Sequence, residues 1–134
     1  MRLTIYADGA SRGNPGPGAI GAIVLGERGE ELVRISQSIG LTTNNQAEYK
    51  AAIAAIKTAS KFNAAEAVLY LDSQLVVNQL IGKYKIKSTS LQPLYAEAIK
   101  QIKGFKKLTI VHIPREKNKM ADALANAALR KREI

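Results

Sequence analysis

The sequence predicts an α/β fold: a mixed β-sheet, antiparallel at first and parallel later, covered by helices on both faces. Three observations predict it. Up to Leu41 the chain alternates apolar and polar side chains in strand-length runs, with a short glycine-containing connection at Glu27-Arg28-Gly29-Glu30. After Leu41 it turns into an alanine-dense stretch with helical spacing. Beyond that, compact β-type runs alternate with helix-period runs, the arrangement in which successive strands return parallel.

Each element has its own warrant. In residues 2–7, Leu3, Ile5 and Ala7 alternate with Thr4 and Tyr6, which predicts a strand ending at Asp8. Residues 9–18 are rich in glycine and proline and predict a loop with several special backbone conformations. Strands follow at 19–25 and 32–38, so the first three strands form an antiparallel meander. Thr42-Thr43-Asn44-Asn45 supplies cap residues for a long helix starting near Asn44, in which Ile53 and Ile56 hold helical spacing as far as Lys61. Residues 66–71 read as a strand ending at Asp72, and 73–81 as a helix stopped by Gly82. A helix over about 90–103 closes at Gly104, residues 107–113 make a fifth strand, and 118–130 a final helix.

Composition narrows the function classes. A chain of 134 residues, 46% hydrophobic, can bury one core, so residues 1–134 are expected to form a single domain. No run reaches the roughly 18 to 20 apolar residues of a membrane span, and the amino terminus enters a strand directly, so a soluble, cytoplasmic protein is expected. The absence of cysteine excludes disulfides, zinc ribbons and thiolate chemistry. Twenty Lys and Arg against eleven Asp and Glu give a net charge of +9, a field that attracts polyanions, nucleic acid first among them. Charge alone does not separate that from a lysine excess serving solubility.

Four of the acidic residues stand apart by position. Asp8 and Asp72 each end an apolar strand; side by side and parallel, those strands deliver both carboxylates to one carboxyl edge, where open α/β sheets place their sites. Glu48 shares a helical face with Ala52, Ala55 and Ala59, the face that should pack on the sheet. Asp122 borders the stripe of Ala121, Leu124, Ala125 and Ala128 on the last helix. Singly, each has an ordinary reading as a solvated strand-end or helix-end charge, and Asp72 as a helix cap. Together, four converging carboxylates repel one another unless a cation lies between them. Magnesium or manganese, hard ions that prefer oxygen ligands, suits such a set.

Five segments, Ile5-Tyr6-Ala7-Asp8-Gly9-Ala10-Ser11, Gly13-Asn14-Pro15-Gly16, Thr43-Asn44-Asn45-Gln46-Ala47-Glu48, Leu71-Asp72-Ser73-Gln74 and Ala121-Asp122-Ala123-Leu124-Ala125, resemble the type 1 ribonuclease H family in motif and in order. The resemblance spans essentially the whole chain. It implies a five-stranded mixed β-sheet (three antiparallel strands then parallel strands) flanked by helices. It implies an endonuclease that hydrolyses the RNA strand of RNA/DNA hybrids with two Mg2+ or Mn2+ ions, leaving 5′-phosphate and 3′-hydroxyl ends. It casts Asp8, Glu48, Asp72 and Asp122 as the metal-binding catalytic carboxylates, with Glu48 near the 2′-hydroxyl that marks RNA. Substrate contacts fall on the backbone of Gly9, Ala10 and Ser11 and on the side chains of Asn14, Asn44, Asn45 and Gln74; Thr43 and the amides starting its helix suit a DNA-strand phosphate. For Asn44 and Asn45 the plain alternative is helix capping.

Lys83 and Lys85, with Tyr84 between them, would ride along a nucleic-acid backbone or form an ordinary solvated edge. They stand where some family members carry a longer basic insertion. The chain departs from the family in the loop before Asp122, where many members have a mobile histidine: here it reads Ile113-Pro114-Arg115-Glu116-Lys117-Asn118, and the single histidine, His112, falls in the fifth strand. Arg115 takes the loop role in this reading. It cannot shuttle protons at neutral pH, so its contribution is electrostatic. Three alternatives remain open at this stage: a nuclease that also cuts double-stranded RNA, one acting at RNA–DNA junctions, and a non-catalytic hybrid-binding module. A monomer is expected.

Overall fold

The computed structural model describes residues 1–132. The elements run β1 (Arg2–Ser11), β2 (Gly16–Leu25), β3 (Glu31–Thr42), α1 (Asn44–Ser60), β4 (Glu66–Leu71), α2 (Gln74–Leu80), α3 (Gln92–Ile102), β5 (Lys107–His112), a 3-10 turn (Arg115–Lys117) and α4 (Lys119–Arg132). They build one five-stranded sheet in the order β3-β2-β1-β4-β5. β1 pairs antiparallel with β2, and β2 with β3; β1 pairs parallel with β4, and β4 with β5. The mixed sheet with flanking helices is the fold the sequence predicted.

The alternation along β2 divides the helices between the two faces. Ile20, Ala22 and Val24 join Leu3, Ile5 and Ala7 of β1 in the main core under α1, α2 and α3. Gly21, on the opposite side of the strand, faces α4: a Cβ there would overlap the Ala121 carbonyl. Ala19 packs with Ala128 and Leu129 in a second, small cluster on that side. The alanine face of α1, with Ala47, Ala51, Ala52, Ala55 and Ala59 all fully buried, lets the helix axis approach the sheet closely. Its start is set by a capping box: the Thr43 hydroxyl accepts from Gln46 N–H at 3.2 Å while Thr43 N–H donates to the Gln46 side chain at 3.0 Å.

Three expectations are corrected. Residues 9–18 are not all loop, because β1 continues to Ser11 and β2 begins at Gly16; Ala10 pairs with Ala19, Ser11 with Gly18, and Arg12 N–H bonds the Pro17 carbonyl at 2.8 Å. The hairpin's hydrogen bonds outweigh the weak intrinsic strand preference of its glycines. β3 likewise runs to Thr42, beyond the predicted 38, through a register shift at Gly18/Ala19 that keeps it paired with β2. Ser73 lies outside α2 and caps it, its hydroxyl accepting from Val76 N–H at 3.2 Å, so Asp72 is released from that duty.

Candidate active site

The four carboxylates arrive from four elements. Tyr6 and Tyr70 are register partners of the parallel β1–β4 pair, their rings stacked with centroids 5.0 Å apart. Asp8 and Asp72 each lie two residues farther on, and so leave neighbouring strands at one level. Glu48 reaches them from the start of α1, and Asp122 from the first turn of α4. Carboxylate oxygens of Asp8, Glu48 and Asp72 lie within 4.8 Å of one another. Asp122 stands beside this trio in the same open cleft of about 410 Å3, and its Oδ1 is 3.8 Å from Arg115 Nη2.

Burial makes the trio costly as a set of anions. Asp8 is 6% and Glu48 8% exposed. The Asp8 carboxyl is held far above the usual carboxylate range, first by burial, then by its hydrogen bond to Glu48, the charges of Glu48 and Asp72, and a hydrogen bond to Asp122. Glu48 is also raised, again chiefly by burial, although the Asp8 proton, the Gly9 amide and the Arg115 charge each pull it down. Gly9 N–H donates to Glu48 Oε1 at 2.7 Å, while Glu48 Oε2 is buried without a hydrogen-bond partner. An orphaned anionic oxygen among other carboxylates, with no thiolate or imidazole at hand, fits a hard divalent cation.

Gly9, Ala10, Ser11, Asn44 and Arg115 line the cleft as well. The Ser11 hydroxyl stands 2.6 Å from Asn44 Oδ1 and 2.7 Å from the Gly13 carbonyl, and Asn44 N–H donates to Asn14 Oδ1 at 3.0 Å. Two amides at the start of α1 are therefore satisfied internally, that of Asn44 by Asn14 and that of Gln46 by Thr43. Asn45 and Gln74 are exposed near the cleft's rim elements without lining it, and Lys83 and Lys85 lie exposed in the α2–α3 connection, away from the lining. His112 ends β5, exposed and paired in register with Leu71, and does not line the cleft.

Sequence reasoning missed Asn118. Fully buried, it donates through Nδ2 to the Ala7 carbonyl at 2.9 Å and to Asp72 Oδ2 at 2.7 Å. Its position just before α4 reads as a helix cap, and nothing local distinguishes the two roles. Asn126, one turn beyond Asp122 on α4, lines the cleft too; its i+4 spacing from Asp122 was the available signal.

A family described as reverse transcriptase-like matches residues 6–128. Ribonuclease HI of Halobacterium salinarum is 44% identical over 128 residues, 96% of this chain and 64% of that protein. The bifunctional protein Rv2228c of Mycobacterium tuberculosis is 42% identical over 130 residues, 96% of this chain but 36% of its own length, so the chain spans about a third of that relative. Among solved structures, LC11-RNase H1 in complex with an RNA/DNA hybrid superposes with a TM-score of 0.93 at 40% identity, covering 98% of this chain and 99% of that one.

Proposed function

Since the chain belongs to the type 1 ribonuclease H family, we propose that it is a metal-dependent endonuclease hydrolysing the RNA strand of RNA/DNA hybrids, with 5′-phosphate and 3′-hydroxyl products. Residues 1–134 act as one catalytic domain, in a cytoplasmic monomer. The observation that carries this function is the trio of Asp8, Glu48 and Asp72, with oxygens within 4.8 Å at the floor of an open cleft and one Glu48 oxygen unpartnered. A structural ion pair would have brought a lysine or arginine into that gap.

Asp8, Glu48, Asp72 and Asp122 would hold two Mg2+ or Mn2+ ions. When bound, these ions supply a water of lowered pKa and charge stabilisation for the departing 3′ oxygen. The chain's own groups do the rest. The net charge of +9 draws the polyanion towards the cleft, and Lys83 and Lys85 follow its backbone. The side-chain amides of Asn14, Asn44, Asn45 and Gln74 donate and accept along the minor groove, where the 2′-hydroxyl separates RNA from DNA. Glu48, buried beside Asp8, faces the 2′-hydroxyl next to the cut. Thr43 holds the start of α1 against a DNA-strand phosphate. The backbone of Gly9, Ala10 and Ser11, along the wall of the cleft, meets the substrate strand. Arg115, exposed at the rim, attracts the scissile phosphate.

An end-labelled hybrid, single-stranded RNA, duplex RNA and duplex DNA, each with Mg2+, Mn2+ or chelator, test this function on wild type and Asp8→Asn. Metal-dependent cutting of the hybrid's RNA strand alone, lost in the variant, is the expected outcome. Binding without cleavage under either metal would replace the enzyme by a binding module. Equal cutting of duplex RNA would keep the chemistry and overturn the substrate.

A further inference from the structure

Asn118 lies between the Arg115–Lys117 turn and α4, where its carbonyl accepts from Asp122 N–H at 3.1 Å. An asparagine at such a junction ordinarily turns its side-chain oxygen back onto the helix's free amides. This one does not: Oδ1 is buried with no hydrogen-bond partner, and the residue is 1% exposed. Its two Nδ2 hydrogens go instead to the Ala7 carbonyl at 2.9 Å and to Asp72 Oδ2 at 2.7 Å. One planar amide thus joins the backbone immediately before Asp8, the carboxylate of Asp72, and the helix that carries Asp122.

We infer that Asn118 is a positioning residue for the acidic centre: its amide holds the rotation of the Asp72 carboxylate and ties the middle of β1 and the residue following β4 to the start of α4. A short side chain ending in a carboxylate has two soft torsions, and a donor 2.7 Å from one oxygen selects among its orientations, leaving the other oxygen directed to a cation. The orphaned Oδ1 is the physical mark of this role, because a merely capping asparagine would have satisfied its oxygen and left its amide to solvent. The inference rests on the proposed function, in which Asp72 is a metal ligand.

Asn118→Ala separates positioning from packing. Calorimetric titration of the protein alone with Mn2+ should show affinity weakened by about 10- to 100-fold, the usual consequence of removing a partner that orients a ligand. Hybrid cleavage should lose kcat by a similar factor while KM stays within about threefold. Metal affinity and kcat within about twofold of wild type, with only the melting temperature lowered, would overturn the inference and leave Asn118 a packing joint. Should the variant fail to fold, the Asn118 side-chain NH2 signals in the NMR spectrum of wild type decide: they should move on addition of Mg2+, and unmoved signals overturn the inference. A wild type that neither binds Mn2+ nor cleaves would sink the proposed function and this role with it. A wild type that does both, matched by Asn118→Ala, sinks the role alone.

Discussion

The backbone amide of Gly9 donates to Glu48 Oε1 at 2.7 Å, a contact possible only because residue 9 has no side chain. A Cβ there would overlap the Ala47 carbonyl and crowd the Glu48 amide, both of them backbone that cannot swing aside. The glycine thus admits α1 to within hydrogen-bonding distance of β1 and seats Glu48 against Asp8.

Gly9→Ala should therefore cost at least about 1–3 kcal/mol, as overpacking of a tight interior does. That corresponds to a melting temperature lower by roughly 4–10 °C in a domain of this size. Thermal unfolding by circular dichroism measures it. Cleavage should fall further than stability alone explains, since the displaced helix carries Glu48. A melting temperature within about 1 °C of wild type would show that α1 can retreat without penalty.

The raised carboxyls of Asp8 and Glu48 predict an unusual stability profile for the metal-free protein. A carboxyl whose folded pKa lies above its unfolded value near 4 keeps its proton longer in the folded state. Its contribution is complete below the unfolded pKa and is lost as pH rises through the folded one. In chelator, wild type should then lose stability relative to Asp8→Asn between about pH 5 and pH 8. Denaturant titrations of both proteins across that range test it, and Mg2+ should restore wild type but not the variant. Parallel curves for the two proteins would show that the carboxyls titrate normally.

Arg115 and Asp122 approach to 3.8 Å, but the arginine side chain is 81% exposed. Solvent screening makes such a pair nearly worthless for folding, so Arg115→Ala should change stability by no more than about 0.5 kcal/mol. Its effect should appear in catalysis, as a fall in kcat/KM of about tenfold or more if the guanidinium bonds a phosphate. Arg115→Lys should recover only part, because a point charge lacks the paired donors. An unchanged kcat/KM in Arg115→Ala would remove the residue from the mechanism.

Lys83 and Lys85 should act through charge alone. The pair Lys83→Ala and Lys85→Ala together should weaken hybrid binding and reduce the slope of log K against log salt by about one for each lysine that meets a phosphate. Fluorescence anisotropy in chelator at several salt concentrations reads both quantities. A slope identical to that of wild type would make the segment an ordinary solvated edge.

The sequence by itself determined the element order, the mixed sheet and the choice of Asp8, Glu48, Asp72 and Asp122 as the acidic residues out of place. Those follow from local periodicity: a strand's alternation or a helix's inward face is written within a few residues, and the run at Glu66–Leu71 was legible to the residue, although β1 passes beyond Asp8, where the alternation placed its end. The segment at 9–18 was not, because glycines and prolines carry no strand signal and its pairing depends on hydrogen bonds to a partner strand. Thr42 and the end of β3 were obscured for the same reason. Only the tertiary structure decided that Asp8, Glu48 and Asp72 close to 4.8 Å while Asp122 turns beside them towards Arg115. Only it revealed Asn118, whose partner Ala7 lies 111 residues away along the chain. Such distances are set by the parallel pairing of β1 with β4 and by the close seating of α1 and α4 on glycines, and no pattern of neighbouring residues encodes them.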